Sequence, residues 1–256
     1  MCVKMGIIGL GNMGAAMAHG LLDNNIETFL YDRSEEKRDA FRGNEAARVV
    51  DSEVDVVKGA DAIILAVKPY VYEAVIEAIK DEVKDQIIIS ITSAFDLEKL
   101  EKSLPNKKLM MALPNTPAKI LNSMTGICPG KNISEEEVKE IRKILSNFGE
   151  TEIVEEKNIK IYEAVSGCMP AYVYMYIEAA ADAAVSYGMQ RDMAYRVISQ
   201  AVAGSAKMVR ESGIHPGELK DQVTTPAGTT IKGVKSLEKD GFRSAIINAV
   251  DSIMNK

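Results

Sequence analysis

The chain has 256 residues, 46% of them hydrophobic and 27% charged, the makeup of an ordinary soluble protein that can bury a core as one large domain or two modest ones. Its 31 basic and 37 acidic residues leave a net charge of −6 with no basic block, which speaks against nucleic acid as a partner. The longest charge-free apolar stretch, residues 164–177, is too short to span a bilayer.

There is no charged-then-apolar leader, and the three cysteines (Cys2, Cys128 and Cys168) form no C-x-x-C pair. Only two histidines occur, His19 and His215, far apart. The expectation is a cytoplasmic protein with reduced thiols, no membrane contact and no metal.

Val3 to Ile8 reads as a short buried strand, and a helical pattern runs from Asn12 to about Leu22. Between them Gly9, Gly11 and Gly14 fit the G-x-G-x-x-G spacing of a dinucleotide-binding turn. Gly9 permits the tight turn, Gly11 lets backbone approach a pyrophosphate, and Gly14 lets the helix pack closely on its strand. The helix then aims free N–H groups and its positive dipole end at the phosphates.

The next strand, Glu27–Tyr31, is followed by Asp32, the acidic residue this motif requires. Ser34 is placed to cap a helix over Glu35–Phe41. A short strand at Arg48–Val50 and a helical turn lead to the apolar strand Ala62–Val67. Then come a helix at Val71–Lys80, a β-rich run at Gln86–Ile91, a helix at Leu97–Ser103 and a strand at Lys108–Leu113. Met124–Cys128 and Glu152–Val154 read as late strands around the helix Ser134–Phe148. Near-continuous apolar strands such as Ile87-Ile88-Ile89 imply a sheet covered on both faces, hence parallel. The pattern is that of a doubly wound α/β domain over roughly residues 1–155.

From Asn158 onward no strand is legible, so residues 156–256 are expected to form an all-helical second domain. Pro170 suits the first turn of a helix reaching Tyr187, with Gly188 as its stop. Only Glu178 and Asp182 interrupt its apolar surface. A helix apolar nearly all round must be buried, and fewer than 100 residues can hardly do so alone, which favours packing between subunits. Arg191–Ser212 forms a second long helix ending at Gly213, and two more lie near Thr229–Lys239 and Phe242–Asn255.

Three further stretches read as site. Ala66-Val67-Lys68-Pro69 ends a strand at the edge where doubly wound sheets bind ligands, although Lys68 alone reads equally as a solvated loop charge. Pro114-Asn115-Thr116-Pro117 holds Asn115 and Thr116 in one presentation between two stiffening prolines, or is a plain turn. Thr224-Thr225-Pro226-Ala227-Gly228-Thr229-Thr230 ends where a helix begins; its N–H groups and hydroxyls suit a carboxylate, or merely cap that helix twice.

These stretches occur in order with Ala164-Val165-Ser166-Gly167, Pro170-Ala171-Tyr172 and His215-Pro216-Gly217-Glu218-Leu219-Lys220-Asp221. As an ordered set the chain resembles pyrroline-5-carboxylate reductase over essentially its whole length. The resemblance implies an N-terminal Rossmann domain and a C-terminal helical domain that interlocks homodimers, often as a ring of five dimers. It implies NAD(P)H as hydride donor to the ring C=N of 1-pyrroline-5-carboxylate, giving L-proline. The cofactor would lie along Gly9, Leu10, Gly11, Asn12, Met13, Gly14, Asp32, Arg33, Ser34, Ala66, Val67, Lys68, Pro69 and Asn115. Backbone N–H groups of Thr225, Ala227, Gly228 and Thr229 would hold the substrate carboxylate, with the Thr230 hydroxyl facing the ring nitrogen as the catalytic group. The active site would lie between the Rossmann strand ends and the helical domain of a neighbouring subunit.

The chain departs from the family pattern twice. Ser166-Gly167-Cys168-Met169-Pro170 stands where Ser-Gly-Ser-Gly-Pro is common, and Pro226-Ala227-Gly228 where Pro-Gly-Gly is common. Two rival readings are a β-hydroxyacid dehydrogenase, with Lys207 as its acid/base but without the surrounding motif, and a non-catalytic NAD(P)-sensing protein, against which the intact Gly228-Thr229-Thr230 loop argues. For the cofactor, Asp32 and Glu53 lean to NADH, while Arg33, Ser34 and Lys37 suit a 2′-phosphate. The expectation is use of both, NADPH modestly preferred, with Arg33 pairing the phosphate while Asp32 turns outward.

Overall fold

In the computed structural model, which describes residues 3–255, the first half of the chain alternates strand and helix. The order is β1 (Met5–Ile8), α1 (Asn12–Leu22), β2 (Thr28–Tyr31), α2 (Glu35–Asp39), β3 (Ala47–Val49), α3 (Glu53–Gly59), β4 (Ala62–Leu65), α4 (Tyr72–Ile79), β5 (Ile87–Ser90), α5 (Leu97–Ser103) and β6 (Lys108–Leu113). β7 (Ser123–Pro129), α6 (Glu135–Leu145), β8 (Gly149–Ile153) and α7 (Ile159–Tyr162) follow. Cys2 lies outside the described residues.

Every residue of β1, β4 and β5 is buried. Alternate side chains serve opposite faces, as strand geometry demands. Ile7, Ile64, Ile89 and Met110 pack with Met17 and Leu21 of α1 and with Ile141 and Leu145 of α6. Ile8, Ile63, Leu65 and Ile88 pack with Val56 and Val57 of α3, Ile76 and Ile79 of α4 and Leu100 of α5.

The eight-stranded sheet runs β3-β2-β1-β4-β5-β6-β7-β8. The first six strands are parallel in the order of a dinucleotide-binding sheet, with β1 between β2 and β4. β7 is antiparallel to β6, and β8 is parallel to β7. An all-parallel sheet was the expectation. The reversal follows from the connection over residues 114–122, which is too short for a right-handed crossover and turns the chain straight back.

α6 starts at a complete capping box. Ser134 Oγ accepts the Glu137 N–H at 3.3 Å and Glu137 Oε2 accepts the Ser134 N–H at 2.9 Å. Lys108 Nζ, from β6, donates to Glu137 Oε1 at 2.7 Å, and this bond leads the effects that hold the Glu137 carboxyl below its usual range. Downstream, Tyr162 lies so close over Gly126 that a Cβ there would come within 2.6 Å of its ring, and its hydroxyl donates to Met124 O at 2.9 Å. Burial pushes the Cys128 thiol up to about 11, with Glu156 adding to the effect.

The chain divides into two compact units, one ending at Cys168 and the other starting at Met169. The short helix α7 and a wide turn at Glu163–Gly167 therefore belong with the sheet. The second unit contains α8 (Met169–Ser186), α9 (Arg191–Ser212), α10 (Pro216–Gln222), α11 (Thr229–Lys239) and α12 (Phe242–Met254), and no strand among the described residues. Gly188 at φ +92° and Gly213 at φ +66° follow α8 and α9 in the left-handed region, as stop residues should. α10 was not expected. Its seven residues are too few for a readable period, but His215 Nδ1 accepts the Gly217 N–H at 3.1 Å and Pro216 fills the first turn.

The second unit has almost no core of its own. Its buried hydrophobic residues among those described are Ala181 and Ala194. Tyr174, Met175, Tyr176, Met193, Val197, Met208 and Ile247 stand exposed.

Candidate functional site

The turn after β1 assigns each glycine a distinct geometry. Gly9 has φ +101°, and a Cβ there would come within 2.7 Å of Ala66 O. A Cβ on Gly14 would come within 1.9 Å of Gly9 O and 3.0 Å of Ala66 Cβ, so α1 approaches the turn and β4 only because this residue has no side chain. Gly11 is the opposite case: a Cβ would meet nothing within 4 Å. It is the N-cap of α1 and provides no side-chain cap, so the first-turn N–H groups of the helix face an open cradle.

The loops after β1, β2 and β4 enclose a cleft of about 1350 Å³. It lies beside the switch point between β1 and β4, where open α/β sheets place their ligands. Gly9, Leu10, Gly11, Asn12 and Met13 line it together with Asp32, Arg33, Ala66, Val67, Lys68 and Pro69. These are eleven of the fourteen residues expected to hold a cofactor. Gly14 sits behind the turn and Ser34 at the start of α2. The open cradle at Gly11, the uncapped helix and the size of the cleft fit an extended dinucleotide.

Asp32 is turned inward, not outward as expected. Its Oδ2 accepts the Leu10 N–H at 2.7 Å, and its Oδ1 accepts the Ser34 N–H at 2.9 Å. Lys37 Nζ lies 3.5 Å from Oδ2. Burial works to raise this carboxyl, but the two backbone N–H groups and Lys37 outweigh it and hold it below the usual carboxylate range. Ser34 is the N-cap residue of α2 but does not cap it with its side chain; its N–H is bound to Asp32. Arg38 ties the same corner, donating to Asp32 O at 2.8 Å with its guanidinium 5.6 Å from the Tyr31 ring centroid.

Beneath the β4 side of the cleft is Tyr72, fully buried, whose hydroxyl donates to Leu65 O at 2.6 Å and accepts the Ile91 N–H at 3.2 Å. It locks the ends of β4 and β5 together and so sets the floor under Ala66 and Val67. Lys68 is exposed, with no carboxylate partner among the described residues. Tyr70, 85% exposed in the turn Pro69–Val71, continues the wall.

Asn115 is not among the residues that line the cleft. Its Oδ1 accepts the Met124 N–H at 3.1 Å and the Ser123 hydroxyl at 3.2 Å, while its Nδ2 donates to Ser166 O at 3.2 Å. The amide thus pins the β6–β7 loop to β7 and to the turn Glu163–Gly167. Other residues of that loop do reach the cleft: Lys119, Ile120 and Leu121, as do His19 and Asp23 from the α1 side and Thr92 after β5. Leu121 adopts φ +57°, which no hydropathy pattern signals.

In the second unit Thr225, Pro226, Ala227 and Gly228 form a turn closed by the Gly228 N–H on Thr225 O at 3.0 Å. Proline in the second position and φ +59° at Ala227 describe a type II turn whose third position normally holds glycine. A Cβ on Gly228 would come within 2.4 Å of Thr225 Oγ1 and 3.1 Å of Thr225 O, so a side chain here would have to displace the Thr225 hydroxyl. α11 begins at Gly228 without a side-chain cap. The alternative of a helix start capped twice by threonine hydroxyls is therefore absent, and the N–H groups of Thr229, Thr230 and Ile231 remain open to an anion. Lys207, the acid/base of the dehydrogenase reading, lies on exposed α9 and is 3.6 Å from Glu211.

Comparison with known proteins accords with both halves. Residues 156–256 match the family model described as pyrroline-5-carboxylate reductase dimerisation, and residues 4–94 match that described as NADP oxidoreductase, coenzyme F420-dependent. A pyrroline-5-carboxylate reductase of Escherichia coli is 41% identical over 259 aligned residues, covering 99% of this chain and 96% of its own length. Among solved structures, that of a pyrroline-5-carboxylate reductase from Coxiella burnetii superposes with a TM-score of 0.93 at 28% identity, covering 100% of this chain and 97% of that one. A pyrroline carboxylate reductase of Plasmodium falciparum, solved with NADP bound, gives 0.87 at 33% identity over 98% and 95%.

Proposed function

Since this chain belongs to the pyrroline-5-carboxylate reductase family, we propose that it reduces the ring C=N bond of 1-pyrroline-5-carboxylate to give L-proline, using NAD(P)H. The observation that carries the reading is the pair of anion cradles, one in each unit. The first is the open turn at Gly11 with the uncapped N-terminus of α1; the second is the turn at Thr225–Gly228 with the uncapped N-terminus of α11.

The N–H groups around Gly11, Asn12 and Met13 bind the pyrophosphate, and the walls at Asp32–Ser34 and Ala66–Pro69 receive the rest of the dinucleotide. When bound, the reduced nicotinamide supplies the hydride. The N–H groups of Thr229 and Thr230 at the uncapped start of α11 hold the substrate carboxylate, while the Gly228 N–H, bound to Thr225 O, closes the turn that presents them. Thr230 places its hydroxyl against the ring nitrogen as the imine becomes an amine. A protonated cyclic imine is already electrophilic, so these residues need only bind, orient and exclude water; no strong base is required.

Both cofactors are accepted, NADPH modestly better, because Lys37 offsets Asp32 and the exposed Arg33 can pair a 2′-phosphate, with Glu53 opposing it. The working form is at least a homodimer built through the second unit, whose apolar side chains lack a core of their own. A reducing, cytoplasmic setting suits the free thiols of Cys128 and Cys168.

The test follows absorbance at 340 nm, as oxidation of NAD(P)H with 1-pyrroline-5-carboxylate and as reduction of NAD(P)+ with a panel of β-hydroxyacids. Turnover of the imine alone supports the assignment; turnover of a hydroxyacid alone, or of nothing, overturns it.

A further inference from the structure

We propose that Asp32 is a positioning residue that braces the glycine turn, and that cofactor choice rests on the cations beside it, Arg33 and Lys37. An acidic residue at the end of the second strand is ordinarily read as the acceptor for both ribose hydroxyls of NADH. A carboxylate offers about four acceptor sites, two on each oxygen. On Oδ2, one is taken by the Leu10 N–H at 2.7 Å and the other faces Lys37 Nζ at 3.5 Å. On Oδ1, one is taken by the Ser34 N–H at 2.9 Å. A single site remains, too few for a ribose diol, and the side chain is only 14% exposed.

The bond to Leu10 has a mechanical consequence. Leu10 lies between Gly9 and Gly11, so its N–H fixes the turn whose next residue must meet the pyrophosphate. Asp32 therefore ties β2 to the phosphate cradle and serves NADH and NADPH alike. Its negative charge is offset by Lys37, which weakens its repulsion of a 2′-phosphate. The exposed Arg33 lines the same cleft, where Glu53 and Asp23 are the acids other than Asp32.

The inference rests on the dinucleotide reading above, and its test needs no imine. Kd for NADPH and for NADH is measured from the fluorescence of the reduced nicotinamide, alongside the melting temperature. Asp32→Asn puts an amide N–H against a backbone N–H and should weaken both cofactors together, by roughly tenfold each. Lys37→Ala, an exposed change that leaves folding intact, frees a site on Oδ2 and removes a cation, so the ratio of NADPH to NADH affinity should fall severalfold. Selective loss of NADH in Asp32→Asn, with NADPH binding kept or improved, would overturn the proposal. So would a lowered melting temperature with both Kd values unchanged, or an unchanged ratio in Lys37→Ala. Binding of neither cofactor by the wild type would reject the dinucleotide reading itself, and this inference with it.

Discussion

Gly11 and Gly14 lie three residues apart in one turn, yet substitution by alanine should break two different things. At Gly11 a methyl group enters open space, and φ −71° suits alanine. The weaker N-cap costs about 1 kcal/mol, and the stiffer unfolded chain returns 0.4–1 kcal/mol, to order of magnitude. Gly11→Ala should thus fold with a stability within about 1 kcal/mol of wild type. The methyl nevertheless fills the cradle, and loss of one charge-assisted N–H contact to a phosphate is worth about 1.5–3 kcal/mol, a roughly ten- to hundred-fold rise in Kd. At Gly14 the new Cβ would lie 1.9 Å from Gly9 O, a backbone atom in a turn already pressed against Ala66. Relief requires lifting α1 off the sheet, at the upper end of the roughly 1–3 kcal/mol typical of overpacking or beyond it. Urea unfolding gives the first quantity and NADPH fluorescence titration the second. Wild-type affinity in Gly11→Ala would mean that the pyrophosphate does not sit at this residue. Wild-type stability in Gly14→Ala would refute the close packing.

Thr230→Val should lower kcat/KM for the imine by roughly ten- to a hundred-fold with cofactor affinity nearly unchanged, since the lost bond is to a charged nitrogen; an unaltered kcat/KM would leave the hydroxyl without a catalytic role. Ala227→Gly should relieve the left-handed strain in the carboxylate turn, raising stability by up to about 1 kcal/mol and lowering KM for 1-pyrroline-5-carboxylate; a rise in KM would show that the alanine organises the loop. Met175→Asp, on a residue 68% exposed on α8, should dissociate the assembly in sedimentation velocity while the sheet unit stays folded; a fully active wild-type monomer would refute the interface.

The centre of the sheet was legible because β4 and β5 are short apolar runs with no polar face, so Ile63, Ile64, Ile88 and Ile89 could only be interior. α1, α5 and α9 fall on their expected residues because a glycine or cap signal marks one end of each, and β6 because it lies between Pro105 and Pro114. The direction of β7 was not legible from its own residues; it is set by the length of the preceding loop. Nor could local sequence show that the Asn115 amide is taken up by Ser123, Met124 and Ser166, since two of these bonds return from the next strand and one from the turn at Glu163–Gly167. The glycine turn stood out as a candidate site because it needs residues without side chains at fixed positions, and the threonine loop because it opens a helix. Asp32 was found by its place after β2, but its orientation depends on Leu10, in another loop, and that contact exists only in the folded chain.

Isotope transfer tests the central claim most directly. With NADPH carrying deuterium at the transferable position of nicotinamide C4, the enzyme should convert 1-pyrroline-5-carboxylate to L-proline bearing one deuterium, at the ring carbon that was part of the C=N bond. One proline should form for each cofactor oxidised. Proline without the label, or cofactor oxidation without proline, would contradict direct reduction of the imine by this protein.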